Sequence, residues 1–82
     1  MEVPRAALVE KLSACNQTQQ SIEAVSKWLL FYSQDAATIV TFWSEEMARA
    51  PAERRLALLY LANHVVQEGR KKGKDWMEQF SK

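Results

Sequence analysis

Residues 51–73, PAERRLALLYLANHVVQEGRKKG, read as one long helix with a hydrophobic middle and a basic exit. Pro51 suits the first helical position, where a backbone N–H would have no partner, and Glu53 puts negative charge at the positive end of the helix dipole. Leu56, Leu59 and Val66, together with Leu58, Leu61 and Val65, cover more than one stripe of the helical surface. Such a helix is expected to meet neighbours on several sides. Tyr60, Asn63, His64 and Gln67 interrupt the pattern at helical spacings that place all of them along one face. A polar ridge on an otherwise buried helix has two readings. It is either a hydrogen-bonded core tyrosine beside a solvated strip, or the floor of a binding groove. Farther on, Gly69 weakens the helical pattern and Gly73 fits a helix terminator in the left-handed conformation.

The flanking segments supply helices to pack on this one. Met1 to Ala14 holds a short amphipathic helix, with Pro4 near its first turn and Leu8 and Leu12 as core anchors. Cys15 to Thr18 break it, because Asn and Thr side chains compete for backbone hydrogen bonds, and either Asn16 or Thr18 can cap the next helix. That second helix runs from about Gln19 to Tyr32, with Ile22, Val25, Leu29 and Tyr32 inward, Trp28 widening the stripe, and the Glu23/Lys27 pair in solvent. Ser33 to Asp35 form a connector. Asp35 is the natural N-cap of a third helix that turns Ile39, Val40, Trp43 and Met47 inward and leaves Glu45, Glu46 and Arg49 in water. The pair Ala50-Pro51 ends that helix, since the residue before proline is driven from the helical region. A final short helix from about Asp75 to Phe80 offers Trp76, Met77 and Phe80 as one apolar face. About five helices and no strand signal predict an all-α fold with short connections.

Composition narrows the function. The chain has 82 residues, enough for one domain, with 48% hydrophobic and 26% charged residues and a net charge of +1. That balance argues against bulk nucleic-acid binding, although Arg70, Lys71, Lys72, Lys74 and Lys82 outnumber Asp75 and Glu78 near the C-terminal end. Cys15 is the only cysteine, so no internal disulfide forms, and cytosol or nucleus is the expected compartment. The opening MEVPRAALVE carries charge too early for a signal sequence, and no apolar run reaches the roughly 18 residues of a membrane span. One histidine and one cysteine, far apart, do not make a zinc site of ordinary ligand count, and the two glycines build no phosphate loop, so no cofactor is expected. Adjacent Glu45 and Glu46 point to different parts of their helix and form no acid–base pair. Attack by a serine or cysteine with His64 as base is conceivable, but a lone histidine on a core helix is more often a hydrogen-bonded structural residue, so an enzyme is not expected. Recognition fits better: an extended peptide packs on Tyr60, Asn63 holds its backbone, and Arg70, Lys71 or Lys72 binds phosphate at one end. The same cations serve equally as dipole compensation and solubility.

Three stretches, NQTQQSIEAVSKWLLFY (16–32), DAATIVTFW (35–43) and above all LALLYLANHVVQEGRKKG (56–73), resemble the CTD-interacting domain of transcription-termination and mRNA 3′-end-processing factors. The likeness spans residues 5 to about 80, and LYLAN-x-VVQ followed by a basic run carries it. It implies a right-handed helical superhelix similar to VHS domains, a nuclear location, and binding of the phosphorylated heptad-repeat C-terminal tail of RNA polymerase II. In that family the peptide lies in a β-turn across the second, fourth and seventh helices. Position by position, the resemblance assigns Tyr60 and Asn63 to the groove that holds the peptide's tyrosine–proline segment and backbone. His64 stands where many members carry an aspartate that hydrogen-bonds the turn; Gln67, Arg70 and Lys71 match the rim; and Gln19, Gln20 and Ser21 match the start of the second helix. The family superhelix has eight helices, so this sequence reads as a truncated form. The seventh helix, whose arginine reads a serine phosphate, has no counterpart here. That truncation predicts apolar surface left open on the long helix and at Trp76 and Phe80, and with it self-association as a homo-oligomer, for instance by helix swapping, with weak or no tail binding as the alternative function. Weak nucleic-acid binding through the basic exit is a further expectation; a membrane partner is not.

Overall fold

A computed structural model describes residues 2–81. Among these residues the chain forms α1 (Arg5–Ala14), α2 (Gln19–Phe31), a 3-10 turn (Ser33–Asp35), α3 (Ala36–Arg49), α4 (Ala52–Lys71) and α5 (Trp76–Phe80), without a strand. The fold is all-α, as expected. Met1, placed above in the segment of the first helix, and Lys82, counted among the C-terminal cations, lie outside the described residues.

The 20-residue α4 is the axis of the packing. It buries Ala57, Leu58, Leu61, Val65, Val66 and Gly69, a single stripe at helical spacing. Against that stripe lie Ile22, Val25, Ser26 and Leu29 of α2, the most extensive pairing of helices in the molecule. Leu8 and Leu12 of α1, Ile39 of α3 and Trp76 of α5 close the same core. The expectation of a helix covered on several sides is therefore corrected in part: α2, α3 and α5 all pack on α4, but Leu56 is 39% and Leu59 49% exposed. These two lie outside the stripe that the neighbouring helices reach.

The ends of α4 follow local rules with one shift. Pro51 sits just outside the helix rather than in its first position, because its ψ of 168° is extended; its carbonyl still accepts the first helical bond, from Arg55 N–H at 2.9 Å. At the other end Gly73 has φ of 74°, the left-handed geometry that only glycine takes without strain. Lys74 N–H donates to the Gly69 carbonyl at 2.8 Å and Gly73 N–H to the Arg70 carbonyl at 3.1 Å, the paired closure of a Schellman motif.

Three expectations are overturned by tertiary packing. Asp35 makes no capping bond at α3; its Oδ2 accepts from Val3 N–H at 2.6 Å instead and pins the N-terminal segment, leaving α3 to continue directly from the 3-10 turn. Glu46, expected in water, is buried. Its Oε1 accepts from Arg49 Nη2 at 2.6 Å and its Oε2 from Arg54 Nη2 at 3.3 Å, and Arg54 Nη2 also reaches the Leu12 carbonyl at 3.4 Å. One carboxylate thus ties α3 to α4 and, through Arg54, to α1. Trp76, expected to be exposed, is 1% exposed.

Trp76 fits because position 69 has no side chain. A Cβ built on Gly69 would stand 2.7 Å from Trp76 Cδ1, so the indole lies directly on the α4 backbone. Its Nε1 donates to Ser33 Oγ at 3.2 Å, and Phe80, half-buried, meets Trp43 edge-on at 5.0 Å between ring centres. Trp43 in turn donates from Nε1 to the Leu58 carbonyl at 2.9 Å, fastening α3 to α4. For Gly69→Ala two effects compete: helix propensity gains about 0.5–1 kcal/mol, while overpacking in a filled core costs about 1–3 kcal/mol. The clash with a buried ring wins. Gly69→Ala should lower the urea midpoint, where the same change at an open helical site would raise it.

Candidate functional site

The turn before α2 is built by side chains. Thr18 Oγ1 accepts from Ser21 N–H at 3.2 Å as the N-cap, and Asn16 Oδ1 accepts from both Thr18 N–H at 3.0 Å and Thr18 Oγ1 at 2.6 Å. Ser21 Oγ closes the turn by accepting from Asn16 N–H at 3.1 Å. Cys15, buried beneath this turn, has its thiol pushed up by burial, against the opposing effects of Ser21 and Arg54. Gln17 Nε2 crosses to the Glu53 carbonyl at 3.3 Å, so the turn is also tied to the start of α4.

Between the start of α2 and the middle of α4 lies a cleft of about 320 Å³, lined by Gln17, Gln19, Ile22, Tyr60, Asn63, His64 and Gln67. The whole ridge expected on α4 is here, facing the first turn of α2. Ile22, buried, forms an apolar base, and Tyr60 stands 48% exposed, so its ring offers a face to a ligand instead of filling the core. Of the two readings of the ridge, the core tyrosine is excluded. Gln67 Nε2 donates to Asn63 Oδ1 at 3.4 Å, and the exposed Asn63 makes no bond from its amide donors among the described residues, so these are available to a peptide carbonyl.

His64 links this cleft to a second, of about 240 Å³, farther along the same seam and lined by Glu23, Ser26, Lys27, Leu30, His64, Glu68 and Lys72. Its Nδ1 lies 2.9 Å from Ser26 Oγ. The Lys71 ammonium, bonded to Glu68 Oε2 at 3.1 Å, holds that carboxyl below the usual carboxylate range.

The remaining candidates fall elsewhere. Gln20 is exposed but does not line the cleft, and Ser21 is spent on the cap. Arg70 lines a separate hollow with Val66 and Trp76 on another side of α4, and Lys71 pairs with Glu68 on the flank. Consecutive residues on a helix are turned about 100° apart, so a run of three cations cannot serve one rim. Lys72 is the cation of that run that reaches the seam, joined by Lys27 from α2. Gln17, Ile22 and Ser26 were not expected at the site, although two of them carry a signal: Ile22 and Ser26 fall on the buried stripe of α2, and a serine in an apolar stripe marks a position that needs a polar partner.

A family model described as the CID domain matches residues 6–82. The chain is 40% identical over 76 residues to regulation of nuclear pre-mRNA domain-containing protein 1A of Gallus gallus, covering 93% of this chain and 28% of that protein. The Homo sapiens protein of the same name matches at 40% over 76 residues, covering 93% and 24%. Regulation of nuclear pre-mRNA domain-containing protein 1B of Homo sapiens is 39% identical over 74 residues, covering 90% of this chain and 23% of its own length. The chain spans about a quarter of the length of these curated relatives.

Proposed function

The chain belongs to the CID, or CTD-interacting, domain family, and from that membership we propose that it is a non-enzymatic module that binds the phosphorylated heptad-repeat tail of RNA polymerase II in the nucleus, during transcription termination or mRNA 3′-end processing. One observation carries the reading: Gln19, Tyr60, Asn63, His64 and Gln67 converge on a single open cleft between α2 and α4. An exposed aromatic ring, an amide with donors to spare and an apolar base are what a short extended or turned peptide requires. Relatives named as regulators of nuclear pre-mRNA support the same setting.

Tyr60→Ala and Asn63→Ala should each weaken a labelled two-repeat phosphorylated tail peptide by roughly 5- to 30-fold, about 1–2 kcal/mol, without changing thermal stability by more than about 0.5 kcal/mol. Fluorescence anisotropy titration decides it, and equal affinities for the wild type and both variants would remove the cleft from the reading. A second reading has one observation in its favour. Leu56 and Leu59 lie exposed beside Tyr60, so this face of α4 can pack on another copy of the chain. Sedimentation showing a clean monomer at high concentration counts against it.

A further inference from the structure

The Ser26 hydroxyl is fully buried. A helical serine or threonine ordinarily returns its proton to a carbonyl three or four residues back, as Ser33 does to Leu30 at 2.7 Å and Thr41 to Ala37 at 2.9 Å. Ser26 makes no such bond among the described residues; its partner is His64 Nδ1, 2.9 Å away. A hydroxyl proton with no access to water must go to an acceptor, because leaving it unpaired costs about 1–3 kcal/mol. Nδ1 is therefore the acceptor, and in a neutral imidazole the proton then sits on Nε2. Nδ1 is also the ring nitrogen that has a protein partner among the described residues. Nε2–H is left as an unspent donor on the wall shared by the two clefts.

From this geometry we infer that Ser26 is a positioning residue that fixes His64 as the Nε2–H tautomer, so that the middle of the α2–α4 seam offers a hydrogen-bond donor to an acceptor oxygen of the bound tail peptide. The peptide clause rests on the tail-binding reading above; the tautomer does not. The charged groups around the ring are Glu23 and Lys27 from α2 and Glu68 and Lys72 from α4, two of each sign. They leave the seam without strong net charge, so the direction of the imidazole hydrogen bond sets what it selects.

The first measurement is made on the free, unmodified chain. A long-range proton–nitrogen correlation spectrum at pH 8, above the ordinary histidine range, should show His64 Nε2 protonated and Nδ1 bare. Ser26→Ala should shift it toward a mixture of tautomers. A wild-type spectrum with the proton on Nδ1 overturns the proposal. The second measurement titrates two-repeat tail peptide, phosphorylated and unphosphorylated, against His64 variants. His64→Gln, which keeps a donor near the Nε2 position, should bind within roughly 3-fold of wild type, and His64→Leu, which offers no hydrogen bond, roughly 10-fold or more weaker. A penalty confined to the phosphorylated peptide identifies a phosphoryl oxygen as the acceptor, and an equal penalty on both identifies a carbonyl or hydroxyl oxygen; each supports the donor. His64→Leu binding as well as wild type overturns it. Should wild type bind neither peptide, the tail-binding reading fails and the peptide clause falls with it, while the spectrum still decides the tautomer.

Discussion

Trp76→Ala should unfold much of the population at 37 °C, with a loss of about 3–5 kcal/mol of stability. The indole is 1% exposed and lies on the bare backbone of Gly69, which has no side chain to fill the space it leaves. Its loss also strips Ser33 Oγ of a donor at 3.2 Å and removes the ring that Phe80 approaches at 6.2 Å between centroids. A single small core rarely supplies more than about 3–5 kcal/mol, so one such cavity consumes most of the margin. Met77→Ala, one residue along on the same short helix, is the internal control. Met77 is 47% exposed, and its truncation should cost no more than about 0.5 kcal/mol. Thermal unfolding followed by circular dichroism separates the two, and a Trp76→Ala melt within a few degrees of wild type would contradict the packing described for α5.

The second large effect belongs to Glu46. Its carboxylate is 9% exposed and accepts from two arginines, of which Arg49 is 71% and Arg54 34% exposed by side chain. Removing one member of a fully buried ion pair costs about 3–5 kcal/mol, because the other is left charged without a partner. Water reaches part of Arg54, which lowers the expected cost of Glu46→Ala to about 2–3 kcal/mol. It does not vanish, since Arg54 Nε is buried without a partner and the Glu46 carboxylate is the charge that compensates the guanidinium. Arg49→Ala removes only the exposed side of the network and should change stability by less than about 0.5 kcal/mol. Urea titration of the two variants should therefore give midpoints clearly apart. If both variants matched wild type, Glu46 would be a surface residue in energetic terms, as its sequence neighbourhood suggests.

The contrast between these residues explains which parts of the molecule were legible. Helix order, the breaks at Cys15–Thr18 and Ala50–Pro51, and the Gly73 terminator rest on local rules: periodicity, capping chemistry and backbone sterics within a few residues. The ridge Tyr60, Asn63, His64 and Gln67 was legible for the same reason, because one helical face is decided by spacing, and the cleft gathers all four. Gln19 lines the same cleft. Gln20, Ser21, Arg70 and Lys71 lie outside that cleft, because a residue's place near a groove does not say which way its helix turns it.

Three things were settled only by contacts distant in sequence. Asp35 bonds Val3 across the fold rather than capping its own helix, Glu46 finds Arg54 on α4, and Trp76 finds space above Gly69. The expectations were an N-cap, a solvated carboxylate and an open indole, and a partner 8 or 32 residues away, or a missing Cβ, changes each outcome. The sequence by itself determined that this chain is all-α with a polar face on its longest helix, because those features follow from periodicities written within single helices; its kinship with CTD-interacting domains rested on the resemblance of whole stretches, which the family match over residues 6–82 bears out. The tertiary structure alone decided that this face opens into a cleft against α2 and that Ser26 stands behind His64 there. Hydrogen-bond direction between two helices depends on their relative rotation and depth, which no spacing within either helix specifies.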